Sequence, residues 1–326
     1  MENHIITGVA GFIGSHLAEA LLKQGAKVTG IDQFNDYYNP QIKHNNVLNL
    51  KQYSRFKLIE ANIQDLDWQQ LLQSVDVIYH QAAQAGVRSS WGADFHHYTE
   101  RNINATQTIL EGAKQAKFLK RFVYASSSSV YGNALTLPTP ETLCPQPVSP
   151  YGITKLAGER LCWLYQQNFG VPVTALRYFT VYGPRQRPDM AFHKFFRAVI
   201  DREAISIYGD GQQTRDYTYI SDAVAANLAA GEVAEAVGRV FNIGGGSRVT
   251  LNELLNIMEQ VIGHPIKKNY VDKAAGDASH TSADITQAKK ILNYAPQISL
   301  KEGLAREWQW LKSLSINNSP QANLKH

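Results

Sequence analysis

Short apolar runs, each followed by a stretch whose apolar positions recur every three or four residues, fill the first half of the chain. Residues 4–7 (His-Ile-Ile-Thr) are too few for a helix and predict a buried strand. A helix is expected to Leu22, Gly25 ends it, and residues 27–31 give a second strand closing on Asp32. Further strands are expected at 56–60, 75–79, 121–125 and 173–177, and helices at 68–72, 98–117 and from Tyr151 onward. On the 98–117 helix, Ile103, Thr106, Ile109 and Leu110 share one face. The alternation predicts an α/β fold with a doubly wound parallel sheet. Beyond Arg177 the pattern turns irregular. A helix is expected at 190–200, a strand at 205–208, an alanine-rich helix capped by Ser221-Asp222, and a strand at 240–243. Thr250-Leu-Asn-Glu253 reads as a capping box opening another helix, and helices follow at 284–292 and 300–311.

The turn between the first strand and helix reads Gly8-Val-Ala-Gly11-Phe-Ile-Gly14. Gly8 permits a tight turn, Gly11 lets backbone approach a pyrophosphate, and Gly14 allows close packing of helix on strand. The helix N-terminus offers free N–H groups to phosphates. With the acid Asp32 ending the second strand, this is a dinucleotide-binding βαβ unit. Asp32 would accept hydrogen bonds from an adenosine ribose and repel a 2′-phosphate, and Gln33 stands where an NADP site often carries arginine, so the expected cofactor is NAD. Asn62 and Ile63 are placed to touch the adenine, and the small residues of His80-Gln-Ala-Ala83 allow backbone close to a ligand. The expected architecture is a Rossmann domain over 1–177, with 217–246 returning to it. A smaller C-terminal substrate-binding α/β lobe spans 178–216 and 247–313, and 314–326 form a frayed tail.

Composition narrows the function more than it defines it. The 326 residues are 44% hydrophobic and 18% charged, ordinary for a globular protein, and long enough for two domains or one domain with a lobe. A net charge of +4 suits an anionic small ligand and is too small to argue for nucleic acid. Cys144 and Cys162 are the only cysteines and read as reduced thiols. No leader-like N-terminus and no apolar run of about 18 residues is visible, so a soluble cytoplasmic protein without membrane contact is expected. His96-His97 lack a partner at metal-ligand spacing, so no metal is expected.

Tyr151-Gly-Ile-Thr-Lys155 sets a phenol and an ammonium one above the other on a helix face. A phenol with pKa near ~10 is a poor base at neutral pH, and a neighbouring ammonium would lower it. Such a pair could take a proton from a sugar hydroxyl. Pro150 suits the first position of this helix.

Five motifs in order resemble the extended short-chain dehydrogenase/reductase family, the NAD-dependent nucleotide-sugar epimerases and dehydratases. They are Thr7-Gly-x-x-Gly-x-x-Gly14, His80-x-Ala-Ala83, Ala125-Ser-Ser-Ser-Ser-Val-Tyr-Gly132, Tyr151-x-x-x-Lys155 and Arg177-Tyr-Phe-Thr-Val-Tyr-Gly-Pro184. The resemblance implies that Ser127 hydrogen-bonds the sugar oxygen beside Tyr151 and that Lys155 holds the nicotinamide ribose. It adds Phe12, Ile13, Ala82, Ala83, Asn102 and Tyr178 to the cofactor contacts, and a homodimer built from the helices at Tyr98 and Tyr151. Family dehydratases carry Asp-Glu after the serine, and decarboxylases a glutamate at the position of Ser129. Ser128 and Ser129 cannot do that proton work, so epimerisation is implied.

The segments 32–38, 83–90 and 183–190 look most like those of UDP-glucuronic acid 4-epimerases. UDP-glucose/UDP-galactose 4-epimerisation is the nearest alternative, ahead of UDP-glucuronate decarboxylation and of a non-catalytic NAD-binding regulator. Arg185 is the candidate for a contact near the sugar carboxylate, with a structural loop role or a phosphate contact as its alternatives. Thr180 and Ser89 are hydroxyl donors, Ser128 joins the substrate set, and Arg88 either lines the site or braces its loop. Arg215 resembles the family's diphosphate ligand for a UDP-sugar. A second diphosphate contact is left open, because the family's Arg-x-Gly-Asp reads Lys273-Ala-Ala-Gly276-Asp277 here.

Overall fold

The computed structural model describes residues 2–272 and 278–317. Its centre is a seven-stranded sheet in which every neighbouring pair runs parallel. Strands β1 (Asn3–Thr7), β2 (Lys27–Asp32), β3 (Phe56–Glu60), β4 (Val77–His80), β5 (Arg121–Ser127) and β6 (Val173–Tyr178) are joined outside β6 by Arg239–Ile243. The order turns at β1 and β4, leaving a crevice at the carboxyl ends between them, where ligands of such sheets bind. β5 and β6 are buried at every position, as a strand covered on both faces must be.

Helices α1 (Phe12–Lys23), α2 (Pro40–Leu48), α3 (Trp68–Leu71), α4 (Phe95–Tyr98), α5 (Ala105–Ala113) and α6 (Pro150–Phe169) belong to this first half. Apolar periodicity gives no hint of α2, whose buried residues are Lys43, Asn46 and Val47. Its signal is instead Asn39-Pro40, an N-cap accepting from Gln41 N at 3.0 Å and a proline in the first turn. Between α4 and α5 the helix widens into a π-helical stretch, Thr99–Asn104. The extra residue moves the inward face by one position, so Asn102 is buried where Ile103 was expected, while Thr106, Ile109 and Leu110 keep theirs.

Past β6 the short strand pairs lie outside the main sheet, among them Lys268–Val271 with Ile205–Tyr208. Thr250 and Glu253 form the expected capping box of Leu251–Ile262. Ser221 and Asp222, in contrast, sit inside the first turn of Ile220–Glu232 and do not cap it. Asp222 accepts backbone N–H groups of Gln297 (3.1 Å) and Ile298 (3.4 Å), holding the approach to the last helix. That helix, Leu300–Asn317, runs past the expected end at 311 and takes in the first residues of the expected tail; residues 318–326 lie outside the described residues. Trp308 packs on Phe196 and Trp310 on His193. No helix among the described residues is long and apolar enough to cross a membrane.

Candidate active site

A cavity of about 990 Å³ opens over the carboxyl ends of the strands and reaches from the Gly8–Gly14 turn to Arg215. At one end the chain is shaped by missing side chains. Gly8 has φ +71°, and a Cβ on Gly14 would fall 2.2 Å from Gly8 O, inside any allowed contact. No side chain caps α1, and Gly11, Phe12, Ile13 and Gly14 line the cavity, so the turn presents backbone to a ligand. Asp32 takes Ala10 N (3.1 Å) on one oxygen and Phe34 N (2.9 Å) on the other. Burial pushes its carboxyl up, and Phe34 N–H and Lys43 pull it back. Asn62, Ile63, Ala82, Ala83 and Tyr178 complete this wall. An uncapped helix start, a glycine cradle and a carboxylate at the end of β2 fit a dinucleotide.

The Tyr151 end is set by α6. Ser149 caps it by accepting from Gly152 N at 3.1 Å, with Pro150 in the first turn. A Cβ on Gly152 would meet Ser129 O at 2.6 Å and one on Gly158 would meet Tyr124 OH at 2.2 Å. These glycines therefore let α6 lie directly on β5 and its following turn, which brings Tyr151 beside Ser127. Ser127 Oγ accepts from Ser129 N (3.1 Å), so its proton is left to donate. Below them Glu159 receives Arg177 through Nη2 (2.5 Å) and Nε (2.9 Å), and Ser126 Oγ at 2.7 Å. This buried pair joins α6, β5 and β6 beneath the serines.

The expected tuning of Tyr151 by Lys155 is not what this geometry gives. Burial pushes the phenol up, and it is the Ser127 hydroxyl and the Arg187 guanidinium that pull it back. Lys155 is itself desolvated to a pKa of about 8, with Cys162 and Glu159 opposing the shift. Its Nζ stands 5.0 Å from the centroid of the Tyr124 ring. A lysine at the next helical turn shares Tyr151's face, while the Tyr98 ring stands edge-on to the phenol with centroids 6.3 Å apart.

Two further expectations need correction. Arg185 does not line the cavity. Its φ of +65° turns the side chain back onto α1, where Nη2 meets Glu19 Oε2 at 2.7 Å and Nη1 meets Ser15 Oγ at 3.5 Å. Arg187, two residues on, faces the cavity and pairs with Asp189. Asn102 is also absent from the lining. Fully buried, it accepts Gln84 N (2.7 Å) and donates to Gln84 O (3.0 Å) and Thr154 Oγ1 (2.9 Å), pinning the 82–86 loop to α6.

Arg88, Ser89, Ser128, Thr180 and Arg215 all line the cavity. Arg88 stacks on Tyr208, its guanidinium carbon 4.1 Å from the ring centroid. Arg215 Nη1 donates to Thr214 O (2.9 Å) and Ser279 O (3.2 Å). The Lys273–Asp277 segment lies outside the described residues. Tyr37, Arg187 and Asp189 were not anticipated. The Arg-Gln-Arg spacing signals a cationic loop, while which arginine turns inward depends on one backbone angle. Among the described residues no His, Cys, Asp and Glu side chains group to hold a metal ion.

Fold and cavity together define a nucleotide-binding α/β protein in which Tyr151, Ser127 and Lys155 line one cavity. The family model for the NAD dependent epimerase/dehydratase family matches residues 4–244, and the chain belongs to that family. A UDP-glucose epimerase of Bacillus subtilis (strain 168), itself uncharacterised, is 46% identical over 95% of this chain and 98% of its own length. The UDP-glucuronate 4-epimerase of Thermodesulfobacterium geofontis is 37% identical over 96% and 97%. The crystal structure of the Bacillus cereus UDP-glucuronic acid 4-epimerase with UDP-glucuronic acid and NAD matches with a TM-score of 0.93. It is 44% identical, over 96% of this chain and 99% of that one.

Proposed function

We propose that this protein interconverts UDP-glucuronic and UDP-galacturonic acids by NAD-dependent epimerisation at C4, through a 4-keto intermediate. The single observation that carries the reading is the meeting of Tyr151, Ser127 and Arg187 in one cavity with the glycine turn, in a chain 44% identical to the Bacillus cereus enzyme. Gly8, Gly11, Phe12, Ile13, Gly14, Asp32, Asn62, Ile63, Ala82, Ala83 and Tyr178 hold the NAD, with Lys155 on its nicotinamide ribose. Bound there, NAD supplies the oxidant that takes hydride from C4 and the reductant that returns it.

Tyr151 takes the proton of the 4-hydroxyl, and Ser127 donates to the same oxygen. Release of the proton from a phenol raised by burial is helped by the cationic Arg187. Arg187 meets the sugar carboxylate, with Ser128, Thr180 and Ser89 as hydroxyl donors; Arg215 takes the diphosphate and Arg88 lines the nucleotide end. A 4-keto glucuronate is a β-keto acid and loses carbon dioxide when its carboxylate stands perpendicular to the ketone, so the carboxylate must be held. Ser128 and Ser129 offer no acid to divert the intermediate toward elimination.

Residues 1–177 with 217–246 form the NAD unit, and 178–216 with 247–313 the sugar-nucleotide lobe. The reading extends to a cytoplasmic homodimer: Ile153, Trp163, Leu164 and Phe169 are exposed along α6, and both cysteines are free. The name of the Bacillus subtilis relative favours UDP-glucose as a second substrate reading. Parallel incubation with UDP-glucuronate and UDP-glucose, products resolved by NMR, tests both. UDP-galacturonate as the main product is expected. Turnover of UDP-glucose alone would install the second reading, and UDP-4-ketopentose or UDP-xylose as main product would reject epimerisation of the uronate.

A further inference from the structure

Tyr98 ends α4 and is only 1% exposed, so its sequence position carries a phenol oxygen into the interior. A buried hydroxyl costs free energy unless it is bonded. Tyr98 OH shares its proton between Gly86 O at 2.8 Å and Ala85 O at 3.0 Å, and Ser89 Oγ lies 2.8 Å from the same oxygen. Residues 85–89 all line the cavity. They turn sharply at Gly86, whose φ is +104° and where a Cβ would meet Ser89 Oγ at 2.5 Å and Tyr98 OH at 3.2 Å. Four residues beyond Tyr98, Asn102 grips Gln84 through its backbone N–H (2.7 Å) and carbonyl (3.0 Å). Two side chains of one helical stretch therefore hold residues 84–89, Asn102 at the start and Tyr98 at the bend.

The ring of Tyr98 also packs on the catalytic centre. It stands edge-on to Tyr151, with centroids 6.3 Å apart and planes at 78°, an arrangement aromatic pairs favour. Ser127 bonds the Tyr151 phenol at its oxygen, and Tyr98 bounds the swing of the ring behind it. Such a bound matters, because a displacement of about 1 Å at a reacting group can cost about 10²-fold in rate. We infer that Tyr98 is a positioning residue with two separable parts: its ring keeps Tyr151 in line with the C4 oxygen of the sugar, and its hydroxyl keeps residues 85–89 in the shape that receives the sugar nucleotide. The inference rests on Tyr151 acting as the base, as proposed above.

Steady-state kinetics with UDP-glucuronate on the NAD-loaded enzyme separate the two parts. Tyr98→Phe keeps the ring and takes the donor from Ala85 O and Gly86 O. Its KM should rise about fivefold or more while kcat stays within about twofold. Tyr98→Leu removes ring and hydroxyl together. It should show the same rise in KM and, in addition, a kcat about tenfold or more below that of the phenylalanine variant, with NAD still bound. A purely structural tyrosine would lower the unfolding midpoint of both variants and leave kcat and KM unchanged, and that result overturns the inference. So does an equal loss of kcat in both variants, because one of them retains the ring. Should Tyr98→Leu fail to fold, Tyr98→Met fills the space without a ring and is read in the same way. Failure of the underlying reading looks different: Tyr151→Phe would keep full activity. An inactive Tyr151→Phe beside a Tyr98→Leu of natural kcat would remove only the present inference.

Discussion

At the Gly8–Gly14 end of the cavity the turn presents backbone to a ligand, and that close approach exists because side chains are missing. At the Arg187 end the surface is made of charged and hydroxyl side chains from three loops, each oriented by another: Arg187 by Asp189, Asp189 by Tyr37, Tyr37 beside Ser89. The first kind of site is encoded locally, in a turn and the helix that follows it. The second depends on residues up to 152 positions apart, as Tyr37 and Asp189 are. A glycine turn therefore reads directly from sequence, whereas a polar network must be found in space.

Substitutions can separate the two ends. Tyr151→Phe stands where they meet and should cost the most, about 10³-fold or more in kcat, while calorimetry still finds NAD bound. Bound NAD with full activity would detach the phenol from the chemistry. Gly14→Ala attacks only the backbone-built end. Its Cβ would meet Gly8 O at 2.2 Å, so α1 must shift, and loss of copurifying NAD with a penalty of about 1–3 kcal/mol is expected from denaturant unfolding.

The paired arginines sharpen the other end. Arg187→Ala should weaken UDP-glucuronate about tenfold or more with UDP-glucose affected less, since it removes a charge-assisted contact to one substrate only. Arg185→Ala should leave both affinities within about twofold and cost no more than about 1 kcal/mol, because its partner Glu19 is half-buried. Reversed results would return the carboxylate contact to Arg185.

A titration tests the floor of the site from a different side. Lys155 falls from 10.5 to about 8 in the fold because it is buried. Between those values the unfolded chain binds more protons than the native one, so stability should rise with pH across that window and the burial penalty should be complete below about 8. In NAD-free protein, urea midpoints at pH 8 and 10 should show this rise relative to Lys155→Met. Parallel profiles would place the lysine in a more solvated setting.

Much of this protein was legible along the chain. Alternating strand and helix patterns, the Gly8–Gly14 turn and Asp32 predict the parallel sheet and its nucleotide crevice, because burial periodicity and glycine geometry are local properties. The π-helical stretch at Thr99–Asn104 was not legible, and it exchanges Ile103 for Asn102 at a position that then pins the 82–86 loop. Nor was the source of charge around Tyr151: helical spacing names Lys155, while the folded chain brings in Arg187 from the 183–190 loop. By itself, then, the sequence determined the strands of the parallel sheet, their order along the chain and the glycine turn of the cavity, whose causes lie within a few residues. Only the tertiary structure decided that Arg185 turns back to Glu19 while Arg187 faces the site, because charges choose partners by distance in space and by one residue's φ, neither of which spacing along a chain records.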